Sequence, residues 1–132
     1  NLMAPRHATD GEARIYEGSG GVCLVDSFRR GIAGTMPGME FLPGIVALWK
    51  ALQSGNEDTI YRLYFPICAL VSLQLQAGLD GFLVVEQYVL HRRGLFTTDH
   101  RRAPNAWCLD PETQAELDRL LEQLDQAVGR LT

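Results

Sequence analysis

Two short glycine-containing segments carry the residue types best suited to binding a small anionic molecule. EGSGG at 17–21 follows one short apolar run, and GTMPG at 34–38 follows another. Backbone N–H groups exposed at a glycine turn before a helix can hold a carboxylate or a phosphate. One such turn is weak evidence, because any tight turn with positive φ also needs glycine. Two turns in close succession favour a binding site.

The elements that must position these turns are two short strands and a helix. ARIYEG at 13–18 and IAGTM at 32–36 are strand candidates, since each is a short run with β-forming residues and each is stopped by glycine or proline. GVCLVDSFRR at 21–30 has apolar residues at helical spacing, arginines in its last turn and Gly31 just after it. The strands are apolar on both faces, which is typical of a parallel sheet covered by helices.

The rest of the chain has helical periodicity. A helix is predicted over 40–54 with Phe41, Ile45, Leu48 and Leu52 on one face, closed by Gly55. Asn56 is the N-cap of the next helix, in which Pro66 predicts a kink or a break. QAGLDG at 76–81 is predicted as a turn, 82–94 as a helix and 95–109 as a loop. Asp110 and Pro111 then begin the last helix, whereas residues 1–12 are expected to form a loop.

Composition narrows the classes of function. The 132 residues fit a single domain, and a formal net charge of -4 disfavours an extended nucleic-acid surface. No run reaches the ~18 apolar residues that a membrane span needs. The three cysteines are odd in number and lack CxxC spacing, so neither a disulfide framework nor a zinc site is expected. A reducing, cytoplasmic location is therefore predicted.

Histidine spacing gives no reason to expect a metal. His7, His91 and His100 are far apart in sequence and have no carboxylate or thiolate partners at ligand spacing. No serine lies in a G-x-S-x-G elbow either, so no Ser-His-Asp set can be argued. The sequence thus predicts neither a metal nor another cofactor.

The segments GSGG, GIAGTMPG, ALWKALQSGN and RLYFPI together resemble the C-terminal part of the dihydrodipicolinate synthase / N-acetylneuraminate lyase family. LHRRGLF, RRAP and an acidic leucine-rich helix extend the resemblance from about residue 13 to about residue 124. GIAGTMPG is its most specific part. The family consists of pyruvate-type class I aldolases and dehydratases on a (β/α)8 barrel, whose active-site groups lie on the loops after the strands.

The resemblance implies an α/β fold, mostly helical by residue count, with Ala13–Tyr16 as barrel strand seven and Ile32–Met36 as strand eight. Residues 1–55 would be the C-terminal end of the barrel and 56–132 a helical C-terminal extension. Substrate-contacting residues would then be Gly18, Ser19 and Gly20, at the variable end of the substrate, and Thr35 and Met36, beside the Schiff-base carbon.

The catalytic lysine of such an enzyme has no counterpart here. Lys50 is the only lysine, and it lies in a helix that would coat the barrel, off the apolar face of that helix. The proton-shuttling tyrosine and the carboxylate-gripping Thr/Ser-Gly turn of the family also lie on earlier strands. The expectation is a segment of a longer lyase that forms a Schiff base with a 2-keto acid. The 132-residue chain alone would not be an enzyme.

Two other hypotheses stay open at this point. A truncated, non-catalytic paralogue would act as a helical interaction module, with its apolar barrel-facing surface covered by a partner or by self-association. An anion-binding domain would use the glycine turn alone. The expected partners are a small 2-keto acid and either further copies of the chain or a missing N-terminal half of the barrel, with no nucleic acid and no membrane.

Overall fold

The computed structural model describes residues 3–130, which form six helices and two very short strands. The strands come after the first and the second helix. The helices are α1 (Met3–Ala8), α2 (Leu24–Arg29), α3 (Leu42–Ser54), α4 (Glu57–Gln74), α5 (Gly78–Arg92) and α6 (Pro111–Gly129), and the strands are β1 (Tyr16–Glu17) and β2 (Gly34–Thr35). The predicted order of strand, helix, strand and four helices is therefore observed, with α1 added before it. None of the helices among these residues is long and apolar enough to cross a membrane.

The helix boundaries follow their capping residues. The Asn56 side chain accepts a hydrogen bond from the Thr59 backbone N–H at 3.0 Å and so begins α4. Asp110 accepts from the N–H groups of Glu112 and Thr113, both at 3.0 Å, with Pro111 in the first turn of α6. Gly55 ends α3 in the left-handed conformation, with φ 69°. These caps were predicted from the sequence.

β1 and β2 pair in parallel, with Tyr16 opposite Gly34 and Glu17 opposite Thr35. Two further hydrogen bonds extend the ladder, from Ala33 N to Ile15 O at 2.8 Å and from Met36 N to Glu17 O at 2.9 Å. Helix α2 crosses between the strands and packs on α3, where the Phe28 and Trp49 rings meet edge to face with centroids 5.1 Å apart. The strands are shorter than the predicted ranges 13–16 and 32–36, and the first begins later, because regular pairing is confined to two residues of each strand.

Two local predictions were wrong. Residues 3–8, expected to be a loop, form α1, whose Arg6 guanidinium donates to the carbonyls of Arg30 and Gly31. The turn predicted over 76–81 is shorter, because α5 already begins at Gly78. Gly81 lets α5 lie close to the end of α4, since a Cβ there would be 3.0 Å from Gln74 O.

At Pro66 the sequence predicted a kink or a break, and of these two the break is absent, since α4 continues through the proline. Proline removes one backbone hydrogen bond, which weakens a helix that has little tertiary support. α4 is instead the central helix, packed against α3, α5 and α6. Its Leu63 and Ile67 are fully buried on either side of the proline. Tertiary packing therefore carries the helix through this position.

One continuous apolar core joins the elements. The predicted face of α3 contributes to it together with α4 and α6, and its fully buried members include Leu48, Leu63, Ile67, Leu70, Leu117, Leu121 and Leu124. On α5, Val85 and Val89 are buried, whereas Phe82 is only partly buried. The core runs across residue 55, and the division into 1–55 and 56–132 stays a prediction.

Candidate functional site

The parallel pairing brings the ends of both strands to one edge, and with them the two glycine turns. Gly18 and Ser19 follow β1, and Met36 follows β2. Met36 N donates to the Glu17 carbonyl at 2.9 Å, and a Cβ built on Gly18 would lie 4.0 Å from Met36 Cε. The turns predicted to form one site are thus in contact.

Glu17 links the two turns by hydrogen bonds, although the sequence did not predict it as a site residue. Its side chain is buried beneath them, with 6% of the residue exposed. One carboxylate oxygen accepts from the Ser19 N–H, and the other accepts from the Thr35 hydroxyl at 3.0 Å. An acidic residue at a strand end usually faces water. Only the tertiary structure shows that this one is enclosed.

The Glu17 carboxylate also bears on the anion-binding hypothesis. A glycine turn before a helix attracts an anion through its free N–H groups. Here the Ser19 N–H already donates to Glu17, and the Ser19 hydroxyl accepts from Cys23 N at 3.0 Å. The Ser19 N–H is therefore already bonded to the Glu17 carboxylate and is not free to bind an external anion.

Gly20 and Gly21 turn away from this cluster toward the helices. Both have positive φ, 71° and 104°. A Cβ on Gly20 would lie 3.5 Å from Val71 of α4, and a Cβ on Gly21 would lie 2.5 Å from Ile45 Cδ1. Of the five predicted site residues, Gly18, Ser19, Thr35 and Met36 gather around Glu17, whereas Gly20 packs against α4.

A cavity of about 680 Å³ opens beside the first turn. Glu17, Gly18 and Ser19 line one side, and Asp26 and Arg30 of the α2 region line another. The Arg30 guanidinium lies 2.8 Å from Asp26 Oδ2, and hydrogen bonding to Arg30 holds the pKa of that carboxyl below its usual value. Thr35 and Met36 do not line this cavity, and Met36 is 67% exposed at the strand edge.

Lys50 lies apart from the two turns, and the hydroxyls of Tyr64 and Tyr88 donate hydrogen bonds to other groups of the protein. Lys50 is exposed on α3, away from both turns. The Tyr64 hydroxyl donates to Val22 O, and burial raises the pKa of this phenol. The Tyr88 hydroxyl donates to Asp118 at 2.7 Å. Over residues 3–130, no group of three or more His, Cys, Asp or Glu side chains is placed to hold a metal ion.

A second concave region lies between α5 and the segment after it. This groove of about 790 Å³ is lined by Met39, by Leu83 and Glu86 of α5, and by residues 95–96 and 100–105. Gln87 Nε2 donates to His100 O at 2.6 Å, and Arg101 Nη2 donates to Trp107 O at 3.0 Å. The first bond attaches the 95–109 loop to α5, and the second lies within the loop itself.

Comparison with known proteins gives one informative relative. No family model matches the chain, and no curated protein matches it. The crystal structure of dihydrodipicolinate synthase from Rhodopseudomonas palustris is similar over 92% of this chain, with 31% sequence identity and a TM-score of 0.74. The match covers 40% of the synthase chain, so this sequence spans well under two thirds of that relative.

The fold agrees with this comparison. Two parallel strands joined by a helix and followed by further helices fit part of a (β/α)8 barrel with helices added. Identity of 31% over nearly the whole chain, together with the shared fold, confirms the resemblance drawn from GSGG and GIAGTMPG. This chain is therefore similar in sequence and fold to part of dihydrodipicolinate synthase, in agreement with the family resemblance.

Proposed function

We propose that this chain is the C-terminal segment of a lyase that forms a Schiff base with a 2-keto acid, and that it supplies loops of the substrate pocket. The contact between the two turns carries the proposal. Glu17 accepts hydrogen bonds from both of them, so they form one preorganised edge at the ends of parallel strands. In barrel enzymes this edge is where substrates bind.

Each predicted residue then has a role at that edge. β1 and β2 would be barrel strands seven and eight, extended to residues 13–16 and 32–36 in the complete barrel. The backbone at Gly18 and Ser19 would face the variable end of the substrate, and the backbone at Thr35 and Met36 would lie beside the Schiff-base carbon. Gly20 would support the first turn by its close approach to α4.

The nucleophilic lysine would come from an earlier strand of the barrel, outside this sequence. A class I aldolase or dehydratase needs a lysine amine of lowered pKa that forms an imine with the keto group. Lys50 does not meet this requirement, because it is exposed on the outer face of α3. No metal or other cofactor is part of the proposal. A cytoplasmic, oligomeric protein remains the predicted setting.

Borohydride trapping tests this proposal. The protein that carries this sequence, isolated at its native length, is incubated with pyruvate and sodium borohydride, and the product is analysed by peptide mass spectrometry. We expect one covalent adduct on a lysine other than Lys50, unchanged in amount in Lys50→Met. An adduct that disappears in Lys50→Met, or no adduct with pyruvate or longer 2-keto acids, would contradict the proposal.

A second candidate is a non-catalytic interaction module. Tyr16, Met36 and Met39, in and just after the two strands, are 53%, 67% and 57% exposed, and exposed apolar side chains of this size can mark an interaction surface. If trapping fails, sedimentation velocity of the chain distinguishes this candidate. Concentration-dependent association that Met36→Ser weakens would support it, whereas a monomer at all concentrations would oppose it.

A further inference from the structure

A buried polar cluster lies behind the turn that follows β2. Glu40, just before α3, is 2% exposed, and its Oε1 accepts a hydrogen bond from Gln74 Nε2 at 2.7 Å. Gln74, near the end of α4, is fully buried. The Glu40 carboxylate folds back over Gly38, where a Cβ would overlap Oε2. The last glycine of GTMPG therefore makes room for this carboxylate.

Two acceptor atoms of the cluster have no donor. Among residues 3–130, Glu40 Oε2 and Gln74 Oε1 are buried without a hydrogen-bond partner. The Glu86 carboxyl of α5 lines a groove together with Met39, the neighbour of Glu40, and interacts electrostatically with the Glu40 carboxylate. An unpaired buried acceptor destabilises the folded state. Two carboxylates that lie close together also resist ionising together. One proton between them would satisfy the Glu40 oxygen and remove the repulsion.

We propose that Glu86 and Glu40 share one proton, with Glu86 as the donor to Glu40 Oε2, and that this pair positions the turn carrying Thr35 and Met36. The positioning role rests on the proposed function of that turn. Glu40 follows Met36 by four residues and is held by α4 through Gln74 and by α5 through Glu86. The pair thus joins the pocket edge to the two helices.

The proton can exchange with solvent through the groove beside α5. Glu86 lines this groove, together with Asp80 of the same helix and with His100, Arg101 and Arg102 of the following loop. Burial is the main cause that raises the pKa of Glu86, and the charge of Glu40 and its hydrogen bond act in the same direction. Glu40 itself has no path to water, since it is almost wholly buried.

NMR tests whether Glu86 holds this proton. The side-chain carboxyl carbons of the ¹³C-glutamate-labelled protein are followed from acidic to neutral pH. Glu86→Gln identifies the Glu86 resonance and supplies an amide that can donate to Glu40 but cannot ionise. We expect Glu86 to titrate above the ordinary glutamate range. Asp80→Asn removes one negative charge from the same groove and serves as the matched control. In this variant the pKa of Glu86 should stay raised. Titration of Glu86 at or below the ordinary value would overturn the proposal.

The stability of the chain gives a second readout. A raised carboxyl pKa contributes stability that is present below the ordinary pKa and is lost as pH rises through the raised one. The thermal midpoint of wild type should therefore fall relative to Glu86→Gln as pH rises, and Asp80→Asn should follow wild type. If Mg²⁺ or Ca²⁺ instead raises the midpoint of wild type but not of Glu86→Gln, a cation fills the cluster and the shared proton is wrong.

The positioning role is read from the native-length protein by borohydride trapping as a function of pH. Wild type should lose trapping rate as Glu86 ionises, and Glu86→Gln should keep its rate over the same interval. Equal pH profiles would refute the positioning role even if the NMR titration shows the proton. Absence of trapping in all variants would refute the proposed lyase function and leave the proton measurement standing.

Discussion

At the scale of single residues, close approach explains why Gly21 is glycine. The first turn lies directly on α3 and α4, where a Cβ on Gly21 would be 2.5 Å from Ile45 Cδ1 and 3.1 Å from Ile67 Cγ2. Its φ of 104° lies in the region that side chains rarely adopt. Backbone conformation and packing therefore both require glycine here.

Gly21→Ala should consequently destabilise the chain more than Gly11→Ala. Gly11 has a similar φ of 90°, but a Cβ there has nothing within 4 Å, so this control measures backbone strain alone. We expect the extra overlap in Gly21→Ala to cost a further ~1–3 kcal/mol in the free energy of unfolding, measured by urea denaturation. Equal losses of unfolding free energy in the two variants would show that close packing of α3 and α4 does not restrict Gly21.

At the scale of elements, helix ends depend on a few polar side chains. Asp110 begins α6 by accepting from two backbone N–H groups and from the Thr113 hydroxyl at 2.7 Å. Hydrogen bonding to the Thr113 side chain is the main cause that lowers the pKa of Asp110. The cap is thus strongest when this carboxyl is ionised.

The lowered pKa predicts how α6 responds to acid. A depressed carboxyl pKa gives stability that is present above the ordinary value of 3.8 and is lost as pH falls through the lower folded value. Asp110→Asn keeps a capping oxygen without a charge. The free energy of unfolding, measured by urea denaturation from neutral pH downward, should fall more steeply in wild type than in Asp110→Asn. Parallel curves would contradict this.

At the scale of the whole molecule, the core extends across the proposed boundary at residue 55. α3 lies before the boundary, and it packs against both α4 and α6, which lie after it. Trp49 and Trp107 both contact the core, one from each side of the boundary. Shared packing of this kind favours cooperative unfolding.

Single-tryptophan variants test whether the two regions unfold together. Trp107→Phe leaves Trp49 as the fluorescent reporter of residues 1–55, and Trp49→Phe leaves Trp107 as the reporter of 56–132. We expect fluorescence and circular dichroism to give one urea midpoint within each variant. Circular dichroism corrects for any stability change that the substitution itself causes. A fluorescence midpoint that differs from the circular dichroism midpoint in either variant would mean that the regions unfold separately.

Much of the fold could be predicted from local pattern. Helical periodicity and the capping residues Asn56, Gly55 and Asp110 located α3, α4 and α6 nearly to their ends. The same rules missed α1, which is held by bonds from Arg6, and they could not show that α4 stays unbroken at Pro66, where it packs on three helices. Periodicity contains no information about such distant contacts.

The sequence by itself indicated the family resemblance, the order of the elements and the two glycine turns, because these follow from residue type and short-range spacing. Only the tertiary structure decided that Glu17 joins the turns and that Glu40 and Gln74 form a buried cluster beside the partly exposed Glu86. The members of that cluster come from a turn and two helices far apart in the chain. Burial of a carboxylate depends on what packs over it, and that is a property of the folded molecule.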